Sequence, residues 1–261
     1  VGNRFRSVAD AAGMAPGPFC VAEDMKIDIW SDIACPWCYI GKRRFEAALA
    51  AFPHRNEVEV TWRSYQLDPS LPEHYDGTEV QYLSERKGID PVQLAGMLEQ
   101  VTAQAAGEGL DYDFDSLVVA NSFSAHRLIH LARAEGGAQA ADAVKEALLS
   151  AHFEKGQDIG SAEVLAGIGA AAGVDPERVR SMLATDEYAD AVNADIAQAR
   201  SLGVSGVPFF VLDQKYGISG AQPVELFSSA LEQAWMESHP LVNLTPASAS
   251  ADGPACGPDG C

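Results

Sequence analysis

The stretch Met25-Lys26-Ile27-Asp28-Ile29-Trp30-Ser31-Asp32-Ile33-Ala34-Cys35-Pro36-Trp37-Cys38-Tyr39-Ile40-Gly41 decides the fold. Its first half alternates apolar and polar side chains, the pattern of a strand with one buried face, and Ile27 to Ile33 is read as that strand. Two cysteines follow with two residues between them, and Pro36 stands where the first helical position needs no N–H donor. A cysteine at such a junction points its sulfur at the unpaired amides of the first turn, here those of Trp37 and Cys38, and at the positive end of the helix dipole. Cys35 is therefore expected to have a lowered pKa and to act as the nucleophile, with Cys38 as the resolving thiol. Asp32, three residues earlier, reads either as a turn or cap residue or as a buried acid that takes up a proton during exchange.

Outward from this stretch, Phe45, Leu49 and Phe52 recur at helical spacing between Gly41 and Phe52, and Val58 to Tyr65 reads as a second strand, completing a β-α-β unit. From about Thr78 to Gly203 strand signal is almost absent. Asp90-Pro91 and Asp175-Pro176 look like N-caps followed by proline at the first helical position, while Gly136 and Gly203 look like stops. The chain then returns to β structure, with a hairpin of Val207–Leu212 and Tyr216–Ser219 around Asp213-Gln214-Lys215. A helix follows that carries Val224, Phe227, Leu231 and Trp235 on one face. The order β-α-β, helices, α-β-β-α predicts an α/β protein, a thioredoxin fold with an inserted all-helical domain. The division read from it is a flexible arm at 1–24, a thioredoxin-like domain at 25–76 and 187–237, a helical insertion domain at 77–186, and a flexible tail with C-x4-C at 238–261. No internal repeat of fixed period is found. Phe45, Phe209, Phe210 and Trp235 read as core, and the acidic run from Glu232 to Glu237 as a solvated face.

With 18 Lys+Arg against 37 Asp+Glu, the 261 residues carry a net charge of -19, which disfavours nucleic acid and anionic membrane surfaces as partners. Hydrophobic residues at 47% and charged residues at 21% are ordinary for a globular chain. No apolar run approaches the roughly 20 residues of a membrane span. The first 24 residues lack the basic start and apolar run of a secretory signal, so Met25 is expected near the start of the fold, with Cys20 an incidental thiol in the arm. Cys256 and Cys261 close the tail, and they read as a second redox pair. The competing reading joins them to Cys35 and Cys38 as four zinc ligands, yet the unequal spacings and the loop chemistry around the tail pair give it little support. No cofactor or metal site is assigned, and His126 and His130, though four residues apart, lack a matching carboxylate motif.

Three segments resemble the DsbA-like thioredoxin family, specifically its FrnE-like branch: Ile29 to Gly41, Asn121-Ser122-Phe123-Ser124-Ala125-His126-Arg127-Leu128, and Ser205-Gly206-Val207-Pro208-Phe209-Phe210 with Ser219-Gly220-Ala221-Gln222. The resemblance covers about Met25 to Met236. It implies a cytoplasmic dithiol-disulfide oxidoreductase or isomerase whose catalytic residues are Cys35, Cys38 and Pro208. Pro36, Trp37, Val207, Asn121, His126 and Arg127 would contact substrate. In that fold Val207-Pro208 is a cis bond facing the dithiol, and the backbone before it pairs with an extended partner. A cation at His126 or Arg127 would favour the Cys35 thiolate; the alternative gives Asn121 or Ser124 a capping role and the other two structural hydrogen bonds. Expected partners are protein or small-molecule thiols and disulfides, glutathione or a thioredoxin-type reductant among them; the oligomeric state is left open. Trp37 brings no charge, so a less extreme oxidant than a Cys-Pro-His-Cys protein is expected. The same superfamily includes 2-hydroxychromene-2-carboxylate isomerases and kappa-class glutathione transferases, which usually place Ser where Cys35 stands. A glutathione-dependent isomerase or transferase is therefore one alternative, and a zinc-holding or chaperone-like binding protein another.

Overall fold

A computed structural model describes residues 24–73 and 75–240. Cys20, Cys256 and Cys261, with nearly all of the arm and tail in which they were read, lie outside the described residues. The first strand, β1 (Met25–Ser31), ends two residues earlier than its apolar pattern suggests. Asp32 leaves the sheet because its carboxylate accepts the Leu67 amide at 2.7 Å, which turns the chain into α1 (Pro36–Ala51). A single 3-10 turn at Arg55–Glu57 leads to β2 (Val58–Ser64). Six helices follow: α2 (Glu79–Lys87), α3 (Pro91–Gly107), α4 (Phe123–Phe153), α5 (Ala162–Ala171), α6 (Pro176–Leu183) and α7 (Ala189–Ser201). The chain closes with β3 (Phe209–Leu212), β4 (Tyr216–Ser219) and α8 (Val224–Ser238).

The helix starts follow local chemistry. Asp90 accepts the Val92 and Gln93 amides and Asp175 the Glu177 amide, each ahead of a proline that opens the helix. Thr78 and Gln81 form a reciprocal capping box on α2. The expected stop at Gly136 is instead a break inside α4: Gly137 takes φ 73° and ψ -164°, after which the helix resumes to Phe153. Glycine carries that turn without a Cβ clash, and the resumed segment buries Ala141, Val144, Leu148 and Leu149.

The sheet order is β2-β1-β3-β4, with β1 parallel to β2 and β3 antiparallel to both of its neighbours. On one face α1 and α8 pack together, and Phe45 of α1 meets Phe210 of β3 at 5.5 Å and Phe227 of α8 at 5.8 Å between ring centroids. On the other face Trp30, Ala199 and Val204 form a smaller cluster, against which Val207 and Phe209 rest half-buried. The Trp30 indole donates to the Asp195 carbonyl of α7 at 2.9 Å, anchoring that helix across the sheet. Trp235 is half-buried and lies between the rings of His54 and His239, at 4.0 and 3.6 Å. Glu237, at the end of the acidic run, binds Lys215 and Tyr216 of the hairpin.

Candidate functional site

Cys35 is the N-cap of α1 and Pro36 opens the helix. Both thiols are free and buried, Cys35 at 4% exposure and Cys38 at 1%. The side chain of Cys35 makes no cap hydrogen bond to the first turn; its Sγ donates to the Val207 carbonyl at 3.5 Å instead. Cys38 Sγ is a second acceptor for the same proton, so the two compete for it. Val207-Pro208 is a cis peptide, and the Pro208 carbonyl accepts the Gly220 amide at 2.8 Å. Gly41 allows the loop to sit this close, since a Cβ there would lie 2.9 Å from Pro208 Cγ. Trp37 is 39% exposed beside the buried pair, and the Tyr112 hydroxyl donates to the Pro36 carbonyl at 2.7 Å.

The electrostatics differ from the sequence expectation. The hydrogen bond to Cys38 and burial push the Cys35 thiol up, the charges of Cys38 and Asp32 add to the rise, and the Cys38 amide at the helix start opposes it, as the sequence predicts. Burial would raise Cys38 as well, but the bond from Cys35, the charge of Lys145, the Ser31 hydroxyl and the Asp32 amide bring it below the ordinary thiol range. The two thiols titrate as one buried pair, and the donors gathered around Cys38 favour a charge on that pair. The helix-terminal field is present, but one buried pair shares one charge and the deeper sulfur has the better donors.

Asp32 is buried and sits under the pair. Burial alone would raise its pKa, yet His126, Ser122 and the Leu67 amide hold it below the usual carboxylate range. His126 Nε2 lies 3.3 Å from Asp32 Oδ1, and burial keeps the ring in its neutral form. His126 therefore reaches the site through Asp32 and brings no cation to Cys35. Arg127 is not brought to the dithiol. Its guanidinium donates to the carbonyls of Met182 and Glu187 at 2.6 and 2.8 Å and to that of Thr185, tying down the link between α6 and α7. Asn121 accepts the Phe123 amide at 2.9 Å and donates to the Leu71 carbonyl at 2.6 Å, while the N-cap position of α4 itself falls to Ser122. His130 pairs with Asp195 at 3.0 Å, and among the described residues no group of three or more His, Cys, Asp or Glu is arranged to hold a metal ion.

Sequence reasoning missed Lys145, His152 and Tyr112. The first two lie on the inner stripe of α4, both buried, and a lysine and a histidine interrupting the series Ala141, Val144, Leu148, Leu149 is the signal that could have found them. A cavity of about 120 Å³ opens beside the site, lined among others by Asp32, Ala34, Leu67, Tyr82 and His152. Tyr112 sits in a connection with no periodic pattern.

A dithiol at a strand-to-helix junction, a cis-proline loop against it and a helical insert define a redox-type protein of the thioredoxin fold. The chain belongs to the DSBA-like thioredoxin domain family, whose model matches residues 26–232. It is 45% identical to a probable DsbA oxidoreductase from Streptomyces coelicolor, whose crystal structure superposes with a TM-score of 0.78 over 91% of this chain and 98% of that one. It is 26% identical over 211 residues to the uncharacterised Bacillus subtilis protein YwbO, covering 78% of this chain and 94% of the other. The fold is shared with the cytosolic disulfide reductase DsbM from Pseudomonas aeruginosa, solved with GSH, at TM-score 0.58 and 17% identity over 80% of this chain and 98% of that one.

Proposed function

We propose that this chain carries out thiol–disulfide exchange on protein disulfides, as an oxidoreductase or isomerase of the FrnE-like branch working in the cytoplasm, the compartment named for DsbM. The supporting observation is the placement of Cys35, the less buried thiol, 3.5 Å from the Val207 carbonyl at the cis-proline loop, with Cys38 one turn behind it. Cys35 loses its proton to solvent. The Cys35 thiolate then attacks one sulfur of a substrate disulfide, forming a mixed disulfide while the other substrate sulfur leaves as a thiolate and is protonated. In reduction, Cys38 gives up its proton and attacks Cys35, closing the protein disulfide and releasing the second substrate thiol, so two electrons pass to the substrate. In isomerisation the released substrate thiolate attacks elsewhere and Cys35 is regenerated. Glutathione or a thioredoxin-type reductant would restore the dithiol, and Cys256 with Cys261 would serve as a second pair that exchanges with it.

Turnover of insulin by the wild type and variants tests this reading. Cys35→Ser is expected to abolish turnover and Cys38→Ser to accumulate a mixed disulfide visible by mass; full turnover by Cys35→Ser would sink the proposal. A glutathione-dependent isomerase or transferase would largely keep its activity in Cys35→Ser, so the same variant separates the two readings. A Cys256→Ser/Cys261→Ser protein that reoxidises at the wild-type rate would remove the tail pair from the cycle.

A further inference from the structure

Two ammonium groups are buried where α1, β2 and α4 meet, one of them on Lys42, a helical turn beyond Cys38, and their surroundings differ. Lys42 of α1 is 2% exposed and has three carboxylates: Asp142 at 3.3 Å, Glu146 at 3.0 Å and Glu46 closer still. Lys145 of α4 is 1% exposed, and among the described residues no carboxylate lies within ion-pair distance of it. The two flank the Trp62 indole of β2, Lys42 at 5.8 Å and Lys145 at 5.6 Å from the ring centroid, while the indole N–H donates to Asp142 at 2.8 Å. A ring face offers a desolvated cation partial compensation, but a buried charge calls for a counter-charge. The groups that act electrostatically on Lys145 are Cys38 and Cys35 at the start of α1, Asp32 in the turn after β1, and Lys42, which repels it. It also repels a proton from His126 on its own helix. Asp32 is already engaged by His126 and Leu67.

Resting on the dithiol reading above, we propose that Lys145, supplied by the helical insert, is the counter-charge of the Cys35–Cys38 pair and sets its acidity and redox balance. A thiolate formed in the reduced pair is stabilised by Lys145. Oxidation removes that thiolate and leaves the ammonium buried without its partner, so the lysine favours the dithiol over the disulfide twice, through what it stabilises and through what it strands. Burial brings Lys145 down to about 8, opposed by Cys38, Asp32 and Cys35, so it remains mostly protonated at neutral pH. Lys145 is a positioning residue: it touches no substrate and acts through the thiols.

Lys145→Met removes the charge and keeps the bulk, and the thiols left without a counter-charge can take up a proton, so no unpaired charge need stay buried. Thiolate absorbance at 240 nm against pH, corrected with the double serine variant of Cys35 and Cys38, is expected to show a first midpoint at least about one pH unit above wild type. Exchange in a glutathione buffer, in which the dithiol and one glutathione disulfide give the protein disulfide and two glutathione thiols, is expected to move about tenfold toward the protein disulfide, or about 30 mV. The melting temperature of the oxidised form should rise relative to that of the reduced form, a difference that packing alone would not produce. Lys145→Arg should hold the wild-type midpoint, and Lys145→Gln reads the same quantities if the methionine variant does not fold. A folded, charge-free variant with the wild-type midpoint and glutathione equilibrium would overturn the proposal, as would an arginine variant displaced as far as the methionine one. Wild-type protein that fails to exchange with glutathione would count against the oxidoreductase reading itself, whereas the 240 nm titration needs no exchange.

Discussion

At the scale of single residues, the site is a balance of buried charges of opposite sign. Asp32 raises Cys35 by repulsion, so Asp32→Asn is expected to lower the pH at which that thiol ionises, opposite to the change expected on removing Lys145. Thiolate absorbance at 240 nm distinguishes the two, and an upward or absent shift in Asp32→Asn would refute the assignment of that repulsion. Gly41 is a geometric requirement of a different kind. Its hydrogen faces Pro208 Cγ where a Cβ would be 2.9 Å away, with Ala221 behind it at 3.5 Å. Gly41→Ala must displace the loop that carries Val207 and is expected to cost about 1–3 kcal/mol of stability. It should also slow thiol exchange several-fold, measured by denaturant unfolding and by the rate of mixed-disulfide formation.

Among the elements, α1 is the one that everything else positions. Its N-terminus presents the dithiol, its middle packs Phe45 on Phe210 and Phe227, and its outer face binds α4 through Lys42, Arg43 and Tyr39 on Glu146. That last contact draws the Glu146 carboxyl down to about 2: burial opposes the drop, and hydrogen bonds from Arg43 and Tyr39 with the charge of Lys42 outweigh it. Phe45→Ala is expected to cost about 3–5 kcal/mol, by loss of buried surface and the cavity left behind, read as a lower midpoint in urea. Arg127 belongs to the same scale, since it closes the α6–α7 link by carbonyl hydrogen bonds. Arg127→Met should lower the melting temperature and leave the pH midpoint of the dithiol unchanged; a displaced midpoint would return Arg127 to the site.

For the whole molecule, the fold places two neutral histidines in the interior of a chain with net charge -19. Burial drops His152 to about 4 and lowers His126 as well, the latter despite Asp32. Both side chains take up a proton more readily when unfolded, so stability falls as pH drops below about 6.5 and continues to fall through about 4. For His152 the loss is on the order of 3 kcal/mol, from a shift between about 6.5 and about 4 at about 1.4 kcal/mol per unit. Asp32, held below the carboxylate range, adds a loss at lower pH, as its folded form resists protonation. Thermal unfolding from pH 7.5 to 4 should show the decline, and His152→Phe should flatten part of it; a pH-independent melting temperature would contradict this.

What the sequence determined is what near neighbours decide. The strand alternation before Cys35, the proline after it and the Asp-Pro pairs that open α3 and α6 are local, because capping and periodicity act within a turn or two of chain. They sufficed for the fold class and the dithiol, while the cis bond at Val207-Pro208 was expected only from the family resemblance. Which side chains reach the dithiol was decided only by tertiary structure, because burial and long-range contacts set both distance and charge. Neighbours one residue apart in α4 went separate ways, His126 to Asp32 and Arg127 to the carbonyls of Met182, Thr185 and Glu187, since consecutive residues on a helix point about 100° apart. Lys145 came to the thiols from more than a hundred residues away, brought by packing of the insert against β2. Cys35 is raised rather than lowered for the same reason: the helix terminus is written in the sequence, whereas burial and the groups that outweigh it meet only in the folded chain.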